Sequence, residues 1–184
     1  MSDGQRADAR RNYARILAVA EKEVAAHGAG ASLEQIARTA NVGSATVRRH
    51  FPTRRALLEA VSAHRIEALR VRAAELTGKD DSRAALMDWL DDVVAYCVSA
   101  RGLAAALAYD GAVYENSCSA ALEKAGEPLL RQAARDGAVA PEVTVGDLIA
   151  VIVGIVLATE HHPDPAARAD RLFRLTVAGL SPRN

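Results

Sequence analysis

Apolar residues recur along this chain at every third or fourth position, in runs separated by Gly, Pro, Asn and Asp. That spacing gathers them on one face of a helix. From about Ala7 to His27, the residues Ile16, Leu17, Ala20 and Val24 share a face, and Gly28 ends the run. Two short helices follow, one opening at Ser32 and one over Ser44–His50. A longer helix from Thr53 to about Leu76 turns Leu57, Leu58 and Val61 inward, then continues as a more polar segment with Ile66 and Leu69. It is expected to join two domains, and residues 78–81 form the clearest linker. Over residues 82–100, Leu86, Trp89, Leu90, Val93, Val94 and Cys97 make an amphipathic face. Arg101 and Gly102 are expected to break that helix before a short one over residues 103–109, with a joint over 110–116. Residues 117–136 read as a helix that Pro128 kinks, since proline removes a backbone bond. After a tight connection over 137–141 come two last helices, over 144–159 and 165–180, with His161, His162, Pro163, Asp164 and Pro165 at their junction.

The expectation is an all-α protein of about nine helices. An N-terminal helix-turn-helix domain of three helices spans 1–55, and a C-terminal helical domain spans 56–184. Composition agrees: only 4% of residues are aromatic, and alanine and leucine, both strong helix formers, dominate. At 184 residues the chain can bury a substantial core.

One stretch carries chemistry in its residue order. Residues 32–57, SLEQIARTANVGSATVRRHFPTRRAL, read as two helices joined by a sharp turn, the arrangement that lays a short helix in the major groove of DNA. Ser32 can cap the first helix, with Gln35 where a capping-box partner belongs. Ile36 and small Ala37 face inward, so the second helix can cross closely. Asn41 stands at the bend, where a left-handed conformation is tolerated. Val42 and Val47 fix the angle, Phe51 anchors the end and Pro52 stops the helix. Ser44, Ala45, Thr46, Arg48, Arg49 and His50, with Ser32 and Thr53 at the flanking helix starts, are left to meet base edges and phosphates. Thr53 caps the next helix, where Arg54 suits a phosphate.

A formal net charge of zero argues at first against nucleic acid. Dividing the chain reverses this. Residues 1–55 hold ten Lys/Arg against five Asp/Glu, hence +5, whereas 56–184 hold thirteen against eighteen, hence −5. The basic excess travels with the helix-turn-helix.

Other chemistry is sparse. Cys97 and Cys118 lie far apart in apolar stretches and read as core thiols in a reducing compartment. Adjacent His161 and His162 cannot share a helix face and are expected to be solvated, so no metal is expected. Phosphate loops and nucleophile motifs are lacking, and neither catalysis nor a cofactor is expected. The apolar run 143–159 is interrupted and too short to span a bilayer, and the N-terminus is polar. We therefore expect a cytoplasmic protein with no membrane partner.

The segment from Arg10 to Val61 resembles the N-terminal domain of the TetR family of bacterial transcriptional regulators, while the remainder matches only in helix number and length. The family commonly has glycine at the places of Asn41 and Ala45, a phosphate-contacting tyrosine at Arg48, lysine at Arg54 and glutamate at Arg55. The resemblance implies a homodimeric repressor that binds a palindromic double-stranded operator and is released by a small-molecule effector. An alternative is a DNA-binding regulator whose C-terminal domain only dimerises or binds a protein partner. On the resemblance, the effector pocket would draw on Trp89, Val93, Tyr96, Leu107, Tyr109, Tyr114 and Cys118. The dimer face would use Leu148, Ile149, Ile152, Ile155 and Val156 with Leu172 and Leu175, which have fewer internal alternatives and would be buried by a four-helix bundle across a two-fold axis.

Overall fold

The computed structural model describes the backbone of residues 3–108 and 113–179, and the side chains of 8–28, 30–100 and 119–178. Among these residues the chain forms eight α-helices and no strand. In order they are α1 (Asp3–His27), α2 (Leu33–Thr39), α3 (Ser44–His50), α4 (Arg54–Leu76), α5 (Ser82–Ala108), α6 (Val113–Arg135), α7 (Val145–Ala158) and α8 (Pro165–Gly179). A 3-10 turn, Gly28–Gly30, links α1 to α2. Two compact units emerge: Met1–His64 with Ala100–Gly111, and Arg65–Ser99 with Ala112–Asn184.

The helix count of nine is corrected to eight. Arg101 and Gly102 do not interrupt α5, which runs unbroken to Ala108. Glycine inside a helix costs only about 1 kcal/mol, and the alanines and leucines around it are strong helix formers. Likewise α6 starts at Val113 and continues through Pro128. Residues 109–112 of the expected joint lie outside the described residues.

In the first unit, Ile16, Leu17, Ala20 and Val24 of α1 are buried as their spacing predicts, together with Ile36, Val47, Phe51, Leu57, Leu58 and Val61. Gly28 ends α1 with φ +53°, a conformation that side chains with a Cβ rarely adopt.

The second unit is built around Trp89, which is wholly buried. Leu69 and Leu76 of α4, Leu86, Leu90 and Val93 of α5, Leu122 and Leu129 of α6, Ile152 of α7 and Phe173 of α8 belong to the same core. The indole N–H donates to the Leu69 carbonyl at 3.1 Å, so burial leaves no polar atom of the ring unsatisfied. Across the ring lies Gly126, where an added Cβ would stand 2.5 Å from two of its carbons. Gln132 clasps the linker by accepting from the Gly78 N–H at 3.0 Å and donating to the Lys79 carbonyl at 3.1 Å. A reciprocal capping box between Thr144 and Asp147 opens α7. Asp164 opens α8 by accepting from the Ala167 N–H at 3.0 Å, just ahead of Pro165. No described helix is long and apolar enough to cross a membrane.

Gly126→Ala is expected to lower the unfolding free energy by about 1–3 kcal/mol, the usual cost of overpacking a filled core. Urea denaturation followed by Trp89 fluorescence measures it. An unshifted midpoint would mean that the ring has room to move.

Candidate nucleic-acid interface

The turn between α2 and α3 is set by backbone hydrogen bonds. The Asn41 N–H donates to the Arg38 carbonyl at 3.1 Å, and the Val42 N–H to the Ala37 carbonyl at 3.0 Å. This pair closes a Schellman turn. It requires a left-handed residue after the helix, and Asn41, at φ 51°, is the only described non-glycine residue with positive φ. Val47 and Phe51 are buried to 0% and 1% exposure. Their burial dictates which way α3 faces.

Ser44, Ala45, Arg48 and Arg49 consequently lie exposed, and Thr46 and His50 half-buried. The His50 ring meets Tyr13 edge-on at 5.5 Å, and Tyr13 also packs on Phe51 at 5.5 Å. An aromatic brace from α1 therefore holds the last turn of α3, and His50 serves packing as well as surface. Tyr13 was not among the sequence candidates, although it precedes Ile16 by three residues and Leu17 by four, the spacing that puts it beside the buried face of α1.

Ser32 is partly buried, and its hydroxyl accepts from the Gln35 N–H at 3.2 Å. The expected reciprocal bond from Gln35 is not made. Instead the Glu23 carboxylate accepts from the Ser32 N–H at 3.3 Å. The Gln35 side chain bridges Thr39 and Arg38, whose side chains it reaches within its own helix. Thr53 is exposed, and its hydroxyl accepts from the Ala56 N–H at 3.1 Å, capping α4. Arg54, one residue on, is exposed.

Arg48 is engaged. One of its terminal nitrogens lies 2.9 Å from Glu34 Oε1, across from α3 to the first turn of α2, and both side chains are more than half exposed. The Ser32 hydroxyl reaches the other carboxylate oxygen at 3.5 Å. Glu34's own backbone N–H, and next the Arg48 guanidinium, hold its carboxyl below the ordinary carboxylate value. It is therefore ionised at neutral pH. Fourteen residues separate the two, so no local pattern announces the pair.

This geometry is a turn-locked short helix, anchored on its inner face and presenting hydroxyls and guanidiniums outward. A family model described as bacterial regulatory proteins of the tetR family matches residues 16–61. A second, the SbtR-like C-terminal domain of transcriptional regulators, matches residues 81–182. The chain belongs to the TetR family of bacterial transcriptional regulators.

Solved structures agree with that membership. A TetR transcriptional regulator from Streptomyces coelicolor is 33% identical over 92% of this chain and 98% of its own, with a TM-score of 0.77. One from Mycobacterium vanbaalenii is 34% identical over 97% and 99%, with a TM-score of 0.74. The regulator FadR from Bacillus subtilis, solved in complex with stearoyl-CoA, shares the fold at 17% identity over 91% and 98%, with a TM-score of 0.57. No curated protein matches this chain.

In the regulator's second unit, Trp89 and Val93 are sealed in the core. Of the three described pocket candidates, Tyr96 lines an open groove of about 390 Å³ between α4 and α5, with Ala68, Leu69 and Ala95. Two bridges span that groove, Arg65 to the Ser99 hydroxyl at 2.7 Å and Arg72 to Asp92 at 3.4 Å. Leu107, Tyr109, Tyr114 and Cys118 lie outside the described side chains. Cys97 is a free thiol that burial pushes up to about 11, so it stays protonated and unreactive at neutral pH. Among the described residues, no group of three or more His, Cys, Asp or Glu is placed to hold a metal.

The dimer-face candidates divide. Leu148, Ile149, Ile152 and Val156 are buried in the protomer's own core, joined by partly buried Ile155, so these five have internal partners after all. Leu172 is half-buried. Leu175 is 60% exposed, as are Val151, Val153 and Leu157 of α7 at 38%, 42% and 61%. The helix is apolar on both sides, and one side remains outward.

Asn41→Ala is expected to cost about 1 kcal/mol of stability through left-handed strain, whereas Asn41→Gly should not. Thermal melts followed by circular dichroism compare the two. Equal losses would mean that the side chain, rather than the backbone, matters at the turn.

Proposed function

We propose that this protein is a homodimeric repressor that reads a palindromic operator through α3 and leaves it when a small effector binds the C-terminal domain. The observation that carries the DNA half is the buried pair Val47 and Phe51, which turns Ser44, Ala45, Thr46, Arg48 and Arg49 outward. Two such helices about a two-fold axis would enter successive major grooves. Cytoplasmic location accords with a DNA target.

Dimerisation is supported by the outward face of α7, where Val151, Val153 and Leu157 lie among exposed Ala150, Gly154 and Ala158. Small residues let a partner helix approach closely, and α8 exposes Leu175 as well. An exposed contiguous patch of this kind is a mark of association.

The effector half rests on the groove beside Tyr96, with its apolar walls and few polar groups. The FadR protein that shares this fold holds stearoyl-CoA, which supports a fold able to accept a small ligand. One observation favours a second reading, in which the C-terminal domain only dimerises or meets a protein partner: Trp89 and Val93 fill the centre of the unit. Release of bound DNA by a small molecule in a metabolite screen decides for the first reading.

Arg49→Ala is expected to weaken binding to a duplex selected by the wild-type protein from a randomised library by roughly five- to 150-fold. Its dimer mass should be unchanged. Fluorescence anisotropy measures the affinity, and undiminished binding would remove α3 from the reading role. Leu157→Glu is expected to yield folded monomers by light scattering after size exclusion. A dimer that survives it would place the interface elsewhere.

A further inference from the structure

We infer that Glu34 is a specificity-determining residue: by holding Arg48, it turns that arginine away from phosphate contact and toward a guanine edge. Three observations carry this. The carboxylate lies 2.9 Å from the guanidinium, on the same exposed surface as the reading residues of α3. It is itself steadied from behind by the Ser32 hydroxyl that caps α2. And it places a full negative charge where a DNA-binding surface otherwise carries positive charge, in a segment whose excess is +5.

The consequences follow from charge and donor count. A phosphate approaching Arg48 meets Glu34 as well, and the two anions repel. The pair is close to neutral seen from a distance, so it adds little to the sequence-independent attraction that phosphates supply. A guanidinium has five N–H donors in a fixed fork, and Glu34 takes one N–H of a terminal nitrogen, Nη2. The rest of the fork stays available to the O6 and N7 acceptors of guanine, which carry no net charge and are reached side by side. Penalising the wrong contact while sparing the right one is how a site raises discrimination rather than affinity.

Glu34 thus acts through Arg48 as a positioning residue, and the inference rests on α3 reading DNA. Glu34→Gln keeps the shape and removes the charge. In the full-length protein it is expected to raise affinity for a random-sequence duplex roughly two- to fivefold. It should steepen the logarithmic salt dependence by about one. Affinity for the selected duplex should rise less, so the ratio of selected to random binding falls. None of these changes should occur in an Arg48→Ala background, and the melting curve should stay put because both side chains are exposed. The proposal is overturned if random-duplex affinity is unchanged, if both duplexes gain equally, or if the gain persists without Arg48. Arg49→Ala serves as the control: if it retains full binding the role of α3 fails, whereas failure of the Glu34 arms alone sinks only this inference.

Discussion

The surface proposed to read DNA depends on one constraint: α3 has seven residues, too few to persist as a helix in water. Its existence is borrowed from tertiary contacts. Val47 and Phe51 are driven into the core, each worth about 1.5–3 kcal/mol of burial. The Schellman turn at Asn41 fixes where the helix begins, and the Tyr13 ring braces where it ends. With both ends and the inner face held, the outward residues have no freedom to rotate as a set. The order in which a DNA duplex would meet Ser44, Ala45, Thr46, Arg48 and Arg49 is therefore a property of the core.

The second unit is governed by a different economy of space. Trp89 is the largest side chain in the core, and its indole is bound to α4 through the Leu69 carbonyl and pressed on α6 at Gly126. A ring so placed fills the middle of the core, and a groove opens at the side, between α4 and α5. Ala68 and Ala95 keep that groove wide, and the arginine bridges to Ser99 and Asp92 cross it two turns apart along α4. A ligand entering there would exchange one part-buried and one exposed polar bridge for its own contacts, which costs less than displacing a satisfied indole from the core.

What the sequence made legible was local. The cap at Ser32, the turn at Asn41 and the inward run Ile16, Leu17, Ala20 and Val24 all follow from spacing of three or four, and all are found. Misreadings arose where local rules compete with context. Gly102 looked like a break, yet the surrounding helix formers outweigh one glycine. Along α7 nearly every residue is apolar, so periodicity cannot say which face turns inward. Leu148, Ile149 and Ile152 took the core and left Val153 and Leu157 outside. Contacts between elements were invisible for a further reason. The pairing of Glu34 with Arg48, and of Gln132 with the backbone at Gly78 and Lys79, spans fourteen to fifty-four residues, and no helical or turn rule reaches that far.

The Glu34–Arg48 pair also bears on how the substitution of an arginine for the family's usual tyrosine can be tolerated. A lone guanidinium at that place would strengthen binding to any phosphate and so to any sequence, and the genome's excess of random sites would then compete with the operator. A partner carboxylate on α2 removes that generic gain while the pair stays on the surface, so it can open at modest cost. A bidentate guanine contact is worth roughly five- to 150-fold, more than the few-fold cost of loosening an exposed ion pair. The balance therefore favours guanine over bare backbone even where reading it loosens the pair. In this regulator the acidic residue on the reading face is a restraint on where Arg48 spends its charge.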